Sequence, residues 1–463
     1  MANKNLNIPM DSINKIHFIG IGGISMSGLA HIMHTNGYSI SGSDRMSSHT
    51  TKHLETLGIT VIPTHSANNI CDDIDMVVYT GAIAPDNEEL VKARETVKYV
   101  LSRSKFLGLL MSIYETAICV SGTHGKTTTT SMLAEILLEA KKNPTITVGG
   151  MLNAIGGNIH IGEKNYFLTE ACEYQNSFLD FSPEIGIILN VEEDHMDFFK
   201  DINDIRNSFT QFVNLIPEHG FLAINEEIPN FNELISDAKC KVETFGFSEN
   251  ATWRAINVTF NEFAHATFDV VYKGEEIGQI KLRATGAHNI LNALSTCATS
   301  NFMKIMFADM ANALFDFTGV DQRFQVKGYV HDIVIIDDYA HHPTEISATL
   351  NAARNYPHNS IYVVFQPHTY TRTKAFLTGF AESLSLADHI IITDIYAARE
   401  KDPKDIHAKD IVTLLENKGC DVTYIEDFDE IADHLLINCV PKDMIITMGA
   451  GNINQVADIL LGQ

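Results

Sequence analysis

Basic side chains are scarce in this sequence compared with acidic ones. Among its 463 residues, 33 are Lys or Arg and 58 are Asp or Glu, which gives a formal net charge of −25. A surface this acidic repels the phosphate backbone of nucleic acids and the headgroups of anionic lipids, so a principal role in binding either is excluded. A small anionic ligand is not excluded, because a few cations and backbone amides can build a local site against the overall field.

Paired cysteines and long apolar segments are also missing. The seven cysteines are scattered and include no Cys-X-X-Cys pair, so the sequence carries neither a disulfide framework nor a zinc signature and fits a reducing compartment. No run approaches the roughly 18 apolar residues that a membrane span needs, and Met1 to Lys15 lacks the apolar centre of a secretory signal. We therefore expect a cytoplasmic protein with small-molecule partners and neither nucleic-acid nor membrane partners. Our expectation for its oligomeric state, a monomer or weak homodimer, has no support from these absences.

Short apolar strands alternate with amphipathic helical stretches along the whole chain. This pattern is typical of α/β domains with mostly parallel sheets, and the length suggests about three domains. Strands beginning at Lys15, Thr116 and Ile333 each run into a turn rich in small or polar residues, and each is predicted to be the first strand of a unit. The predicted units are 1–114, 115–325 and 326–463. The stretch 240–283 is predicted to be a small antiparallel insert in the middle unit.

The sharpest motif is Gly122 to Thr128, with the sequence GTHGKTT, between an apolar strand and a helical stretch. Glycines let the backbone close around phosphates, and the amides at a helix N-terminus hold anionic oxygens. Lys126 can supply a point charge to the terminal phosphates, and the hydroxyl of Thr127 is placed for Mg²⁺. An ordinary glycine turn with a surface lysine is the weaker interpretation.

Two further segments carry candidate metal ligands. Glu170 ends an apolar strand, where an acidic residue can reach a phosphate-bound metal at the carboxyl edge of a sheet. The pair Asp194-His195 follows another buried strand and could supply an imidazole ligand oriented by a carboxylate. Solvated loop charges or helix caps are equally good interpretations of these residues from the sequence.

Three polar positions in the middle and third units remain open to two interpretations each. His288 and Asn289 begin a helical stretch, where they either cap the helix or bind a base through hydrogen bonds. Arg323 lies beside the second predicted boundary, where it is either a surface residue or a cation that clamps a phosphate in transfer. The segment Phe365 to Thr373 (FQPHTYTRT) is either a polar surface loop or a pocket that recognises a carboxylate.

The N-terminal turn Gly20 to Gly28 (GIGGISMSG), with Asp44 after the next strand, invites a dinucleotide interpretation. The GxGxxG fingerprint fails, however, because Ser25 occupies the third glycine position. The residues therefore predict a cradle for a nucleotide diphosphate of unspecified kind, and a nicotinamide-dependent dehydrogenase remains the alternative from another class.

Taken together, these motifs resemble the Mur ligase family over nearly the whole chain. The resemblance rests on seven segments that occur in the family's order: HFIGIGGISMSG (17–28), GTHGKTT (122–128), NVEEDHMD (190–197), HNILNA (288–293), DDYAHHPTE (337–345), FQPHTYTRT (365–373) and TMGAG (447–451). It implies an α/β protein with three domains: a Rossmann-like N-terminal domain for a UDP-sugar, a central ATPase domain with a phosphate loop, and a Rossmann-like C-terminal domain for an amino acid.

The resemblance also implies a reaction and a set of residue roles. The branch that adds L-alanine to UDP-N-acetylmuramate uses ATP and Mg²⁺ and passes through an acyl phosphate. By family position, the catalytic residues are Lys126, Glu170, His195 and Arg323, and the metal ligands are Thr127, Glu170 and His195. The implied ATP-binding residues are Gly122, Thr123, His124, Gly125, Lys126, Thr127, Thr128, His288, Asn289, Asn292, Arg323 and Asp338. The implied substrate-binding residues are Gly22, Gly23, Ser25 and Asp44 for the UDP-sugar, and His341, His368 and Arg372 for the alanine and the reacting carboxyl.

Several positions depart from the family pattern. Thr369 and Gln322 stand where relatives commonly carry arginine, and Asn452 stands where Asp is usual. No lysine occurs between Lys200 and Lys239, whereas several branches use a carbamylated lysine there; this favours the alanine-adding branch. The alternatives are a recycling ligase that attaches a murein tripeptide to UDP-N-acetylmuramate, the dehydrogenase, and a nucleotide-binding scaffold without activity.

Overall fold

The computed structural model describes residues 8–463. Residues 1–7, the start of the polar segment from which we argued against a signal sequence, lie outside the described residues. In the described part, no helix combines the length and the apolar character needed to cross a bilayer. The described residues form three parallel or mixed sheets with helices packed on them, which confirms the predicted α/β class.

The first unit is a five-stranded parallel sheet in the order β3-β2-β1-β4-β5. This order reverses direction beside β1, as in doubly wound nucleotide-binding folds, and such folds bind ligands where the strand order reverses. Its strands are β1 (Lys15–Ile19), β2 (Ser39–Ser43), β3 (Thr60–Ile62), β4 (Met76–Tyr79) and β5 (Tyr99–Ser102). Its helices are α1 (Ile24–Thr35), α2 (His49–Thr56), α3 (Glu88–Thr96) and α4 (Arg103–Met111).

The central unit has a ten-stranded sheet in the order β15-β14-β13-β12-β11-β10-β6-β9-β7-β8. Its strands are β6 (Thr116–Ser121), β7 (Thr145–Leu152), β8 (Gly157–His160), β9 (Tyr166–Ala171), β10 (Ile185–Ile188), β11 (Phe221–Asn225), β12 (Lys241–Gly246), β13 (Trp253–Phe260), β14 (His265–Tyr272) and β15 (Glu275–Thr285). Its helices are α5 (Lys126–Glu139), α6 (Ile202–Val213), α7 (Phe231–Leu234), α8 (His288–Phe302) and α9 (Phe307–Asp316).

The predicted antiparallel insert at 240–283 is only partly correct. Strands β13, β14 and β15 pair antiparallel, but β12 pairs parallel with β11 and belongs to the main sheet. The antiparallel part therefore begins at Trp253 and extends to Thr285.

The third unit is a six-stranded sheet in the order β16-β17-β21-β18-β19-β20. Its strands are β16 (Gln325–Val330), β17 (Ile333–Asp338), β18 (Ile361–Phe365), β19 (His389–Ile392), β20 (Asp421–Tyr424) and β21 (Met444–Met448). Its helices are α10 (Pro343–Ala353), α11 (Tyr370–Ala375), α12 (Leu377–Leu384), α13 (Ala408–Asn417), α14 (Phe428–Asn438) and α15 (Asn454–Leu460). We predicted that the strand beginning at Ile333 comes first, and this was wrong, because β16 precedes it and pairs with it antiparallel.

The apolar core shows how the units are joined. One buried cluster runs from the first unit into the central unit, so that Phe106 of α4 belongs to the same core as Phe178 and Phe209 of the central unit. The third unit has separate clusters on the two faces of its sheet, and it meets the central unit through polar contacts described below. The boundaries at 114 and 325 stay predictions.

Candidate active site

The phosphate loop occupies the turn between β6 and α5. Gly122 and Gly125 have φ angles of +140° and +82°, and such left-handed conformations are readily adopted only by glycine. Asn190, which follows β10, holds the loop from outside: its Oδ1 accepts from the His124 amide at 2.7 Å, and its Nδ2 donates to the His124 carbonyl at 3.1 Å. The loop therefore presents its backbone at the N-terminus of the 14-residue α5, as an anion site requires.

Lys126 lies inside this loop and pairs with a buried carboxylate that the sequence analysis did not select. Its Nζ donates to the carbonyl oxygens of Gly122 and Thr123, and to Glu173 Oε2 at 3.0 Å. Burial opposes the charged form of Lys126, but the charge of Glu173 outweighs burial and raises the pKa of Lys126 above its ordinary value. Lys126 is therefore a permanent cation at the centre of the site.

Thr127 and Glu170 meet at a pair of glycines in β7. The Gly149 amide donates to Glu170 Oε1 at 2.5 Å, and a Cβ atom on Gly150 would lie 3.2 Å from the Thr127 methyl group. One further oxygen, Glu173 Oε1, is buried and has no hydrogen-bond partner, and it lies 3.9 Å from His195 Nε2. Hydroxyl and carboxylate oxygens are the ligands that Mg²⁺ prefers, so this donor set fits that cation.

The loop after β10 joins the central unit to the third unit through three consecutive residues. Thr344 donates its hydroxyl to Glu192 Oε2 at 2.7 Å, and His342 Nε2 donates to the Glu193 carbonyl at 3.0 Å. Arg372 donates from Nε and Nη2 to Asp194 Oδ1 at 3.2 and 2.7 Å. Each residue of this loop is thus bound to the third unit directly beside the phosphate loop.

Asp194 and His195 differ in their electrostatic surroundings. Burial opposes ionisation of Asp194, but Arg372 overrides it and lowers the pKa of that carboxyl below its usual range. Burial also lowers the pKa of His195, although Asp194 and Glu173 act in the opposite direction. At neutral pH the His195 imidazole is therefore uncharged, which is the form that can bind a metal.

A second group of residues surrounds Glu345 on α10. Its Oε1 lies 3.2 Å from His124 Nδ1 and 3.7 Å from Arg323 Nη1, and its Oε2 accepts from the His341 amide at 3.1 Å. Burial opposes the charge of Glu345, but the neighbouring His341, His124 and Arg323 outweigh it and lower the pKa of Glu345 well below the ordinary value. Glu345 therefore links the phosphate loop to the third unit.

A cavity of about 360 Å³ opens between the central and third units next to the phosphate loop. The predicted nucleotide residues that line it are His124, Gly125, Thr128, His288, Asn289, Asn292, Arg323 and Asp338. Burial lowers the pKa of His288 to about 4 and raises that of Asp338 to about 6. Asn289 and Asn292 are buried and bonded to each other, and Asp338 accepts from two backbone amides and Thr349.

A second cavity of about 310 Å³ lies on the other side of the Asp194-His195 pair. His195, His368 and Arg372 line it together with Tyr174 and residues of the segment 398–400. Burial lowers the pKa of His368 to about 4, with His341 and Arg372 acting in the same direction. His341 does not line this cavity; its ring centroid lies 6.1 Å from that of His368.

The glycine turn of the first unit is closed by Asp44. The Asp44 carboxylate accepts from the Gly22 amide at 2.9 Å, and Gly23 precedes the first residue of α1. Ser25 is exposed and accepts from Arg103 Nη1 at 3.1 Å. Arg103 forms no ion pair with a described residue, so the turn combines a helix N-terminus with an unpaired cation at the strand-order reversal.

Several residues that complete the site were not predicted from the sequence. Glu173 lies three residues after Glu170, and this second carboxylate was the available signal. His342 and Glu345 belong to the quoted DDYAHHPTE motif, where His341 was chosen instead. Arg103 and Arg399 carried no local signal, because their relevance depends on contacts between distant segments.

Family models match almost the whole chain. The model described as the Mur ligase family catalytic domain matches residues 15–115, and that of the Mur ligase middle domain matches 120–300. A third, described as the Mur ligase glutamate ligase domain, matches 322–451.

Individual relatives match the chain over its full length. A curated UDP-N-acetylmuramate–L-alanine ligase from Agathobacter rectalis is 49% identical over 96% of this chain and 97% of its own. The crystal structure of a UDP-N-acetylmuramate–alanine ligase from Thermotoga maritima has a TM-score of 0.79 and 31% identity, covering 97% of this chain and 98% of that one. A murein peptide ligase from Psychrobacter arcticus has a TM-score of 0.69 and 23% identity, covering 97% and 98%; this match concerns the fold alone.

Proposed function

The chain belongs to the Mur ligase family, and from this premise we propose that it joins L-alanine to UDP-N-acetylmuramate with conversion of ATP to ADP and phosphate. The observation that carries the proposal is the 49% identity to a curated L-alanine ligase over nearly the full length of both chains. The recycling ligase, which attaches a murein tripeptide, is distinguished from this function by the substrate assay described below. Family membership also removes the nicotinamide-dependent dehydrogenase.

ATP binds across the junction of the central and third units. The adenosine occupies the first cavity, where the uncharged His288 and the amide of Asn289 can hydrogen-bond a base. The phosphates extend along the amides at the start of α5, where Lys126 and Arg323 face them. Phosphoryl transfer needs alignment and charge neutralisation more than covalent help from the protein, and these residues supply both.

Thr127, Glu170 and His195 would hold Mg²⁺, and the buried Glu173 Oε1 is a further oxygen within the same region. When bound, the cation neutralises charge on the phosphate oxygens in transfer. The chain's own contribution is to fix the donors: the Gly149 amide orients Glu170, and Asp194 accepts from the His195 amide at 2.7 Å.

The reaction that family membership implies can be assigned to the two cavities as follows. The carboxylate of UDP-N-acetylmuramate takes the γ-phosphoryl group of ATP, which gives an acyl phosphate and ADP. The amine of L-alanine attacks the acyl carbon from the second cavity, and the tetrahedral intermediate expels phosphate to leave the amide. The contacts from Thr344, His342 and Arg372 to the loop after β10 hold the third unit over the site, which keeps water from hydrolysing the acyl phosphate.

The UDP-sugar binds at the first unit. The amides of Gly22 and Gly23 and the N-terminus of α1 offer an anion site for its diphosphate, and the unpaired Arg103 adds a positive charge beside Ser25. Asp44 shapes this turn by binding the Gly22 amide. We further propose that the enzyme works in the cytoplasm. We also propose that it is a monomer or weak homodimer, and sedimentation of the purified protein at several concentrations tests this oligomeric state.

An amino-acid-dependent phosphate-release assay tests the proposed function. Purified protein with Mg-ATP and UDP-N-acetylmuramate is offered L-alanine, glycine, L-serine or the murein tripeptide. We expect the highest kcat/KM with L-alanine and no phosphate release without UDP-N-acetylmuramate. A preference for the tripeptide contradicts the proposal in favour of the recycling ligase.

A further inference from the structure

Two arginines, Arg372 and Arg399, line the second cavity. They differ in whether their guanidinium nitrogens are already bonded to protein groups. Arg372 donates from Nε and Nη2 to Asp194, and its Nη1 donates to His368 Nδ1 at 3.2 Å. All three nitrogens of its guanidinium are therefore committed to protein groups. Arg399 lines the same cavity, is exposed, and forms no hydrogen bond or ion pair with any residue in 8–463.

The other charged groups that line the cavity already contact protein groups, as follows. Asp197 accepts from the Tyr174 hydroxyl at 2.8 Å, and Asp194 is bound by Arg372. Of the two imidazoles, His368 is bonded through Nδ1 to Arg372, and His195 Nε2 lies 3.7 Å from Asp194 Oδ2. Among the described residues that line this cavity, Arg399 is therefore the cation without a protein partner, and its planar guanidinium offers an anionic group a fork of donors.

Arg399 is carried by a segment that is fixed to the loop after β18. The Thr369 amide donates to the Tyr396 carbonyl at 2.9 Å, and the Tyr396 amide donates to the Pro367 carbonyl at 2.8 Å. Next to Arg399, the Glu400 carboxylate accepts from both the amide and the hydroxyl of Thr371. The segment that carries Arg399 is thus anchored at Tyr396 on one side and at Glu400 on the other, and Arg399 lines the cavity.

Arg399 lines this cavity together with Tyr174. In the loop after β18, residue 369 is Thr. Its hydroxyl caps α11, and its side chain carries no positive charge.

We propose that Arg399 binds the carboxylate of the incoming amino acid and so makes the enzyme specific for a free α-amino acid. This inference rests on the proposed function, since it takes the second cavity as the place from which the amine attacks. Arg372 then serves to hold Asp194 and the third unit in place, while Arg399 provides the bidentate contact to the substrate.

The test compares L-alanine with L-alaninamide, which keeps the amine and lacks the carboxylate. In the wild-type enzyme we expect kcat/KM for L-alanine to exceed that for L-alaninamide. Arg399→Ala is expected to raise the KM for L-alanine by about tenfold or more, because a hydrogen bond to a charged group is lost. The variant's kcat/KM for L-alaninamide should stay unchanged, so that the discrimination between the two amines collapses.

Two further variants separate a specific contact from a general charge effect. Arg399→Lys keeps the charge but loses the planar fork, and it should recover part of the affinity for L-alanine. Lys401→Ala removes the same charge two residues away, from an exposed side chain that does not line the cavity, and should leave every KM unchanged. The KM values for Mg-ATP and UDP-N-acetylmuramate should not change in any of the three variants.

The outcomes distinguish failure of this inference from failure of the proposed function. If the wild-type enzyme uses L-alanine but Arg399→Ala keeps the wild-type ratio between L-alanine and L-alaninamide, Arg399 has no role in carboxylate binding. A KM for Mg-ATP that rises as much as that for L-alanine also overturns the inference. Absence of L-alanine-dependent turnover in the wild-type enzyme overturns the proposed function, and the inference with it.

Discussion

At the scale of single residues, substitutions in the ion pair of Lys126 and Glu173 allow effects on stability and on activity to be measured separately. Lys126→Ala should reduce L-alanine-dependent phosphate release by about 100-fold or more, because a cation facing the transferred phosphate is lost. It also leaves the carboxylate of Glu173, 2% exposed, without its main partner. Breaking a buried ion pair from one side costs about 3–5 kcal/mol, so the thermal midpoint should fall.

A double variant separates the two effects. Adding Glu173→Gln to Lys126→Ala removes the unpaired charge and should restore much of the thermal midpoint without restoring activity. Glu173→Gln alone, which keeps Lys126, is the reference. Phosphate release at the wild-type rate in Lys126→Ala contradicts the assignment of the phosphate site, and a double variant no more stable than Lys126→Ala contradicts the pairing with Glu173.

The same pair shows what the sequence could predict about single residues. Lys126 and Thr127 follow from the spacing of a strand, two glycines and a helix, all of which are local. Glu173 is brought to Lys126 by the turn at Tyr174–Asp180, where Gln175 and Asn176 adopt φ angles of 55°. Non-glycine residues in this conformation are uncommon, and no local pattern announced them. The ligand roles of Thr127, Glu170 and His195 stay predictions.

At the scale of elements, the parallel pairing of β7 with β9 brings Gly149 to Glu170. Three residue pairs, formed by Thr145–Thr147 and Phe167–Thr169, lie opposite each other, so the glycines that continue β7 reach the carboxyl end of β9. Both strands are short and apolar enough to predict, but their adjacency is a long-range property. The local sequence pattern therefore predicts Glu170 but not the amide that orients it.

This adjacency predicts the effect of Gly149→Ala. A Cβ atom on residue 149 would lie 2.9 Å from Glu170 Oε1, so the carboxylate must move away from its present position. Because the end of a side chain can shift at little cost, the thermal midpoint should change little. The Mg²⁺ concentration for half-maximal activity should rise by about tenfold, as is usual when a group that orients a metal ligand is disturbed.

A matched control lies in the strand paired with β7. Gly157, in β8, has no atom closer than 4.0 Å to the position of an added Cβ, so Gly157→Ala should leave the Mg²⁺ requirement unchanged. Titration of Mg²⁺ at saturating ATP measures both variants. An unaltered requirement in Gly149→Ala would show that Glu170 does not hold the cation.

At the scale of the whole molecule, the three-domain α/β architecture was predicted correctly and two features of it were not. Alternation of strands and helices is a local pattern, and it identified the class. The antiparallel strand β16 and the parallel membership of β12 depend on which strands become neighbours, and the sequence does not encode this in any short window. The position of the segment around Arg399 beside the second cavity likewise depends on contacts between segments that are distant in the sequence.

The net charge of −25 leads to a prediction about ionic strength. At about 0.01 M ionic strength the Debye length is about 30 Å, so the acidic surface as a whole repels an approaching Mg-ATP; at about 0.15 M the length is about 8 Å. Lys126 and Arg323 lie within the site and are screened less than the surface. The KM for Mg-ATP should therefore fall as salt is raised over this range, and it should be higher when Mg²⁺ is limiting, because free ATP is more highly charged.

L-Alanine, a zwitterion with no net charge, provides the control, since its KM should change little. A KM for Mg-ATP that rises with salt would mean that long-range attraction draws the nucleotide in, and an ATP affinity indifferent to Mg²⁺ would contradict a metal-assisted site inside an acidic shell.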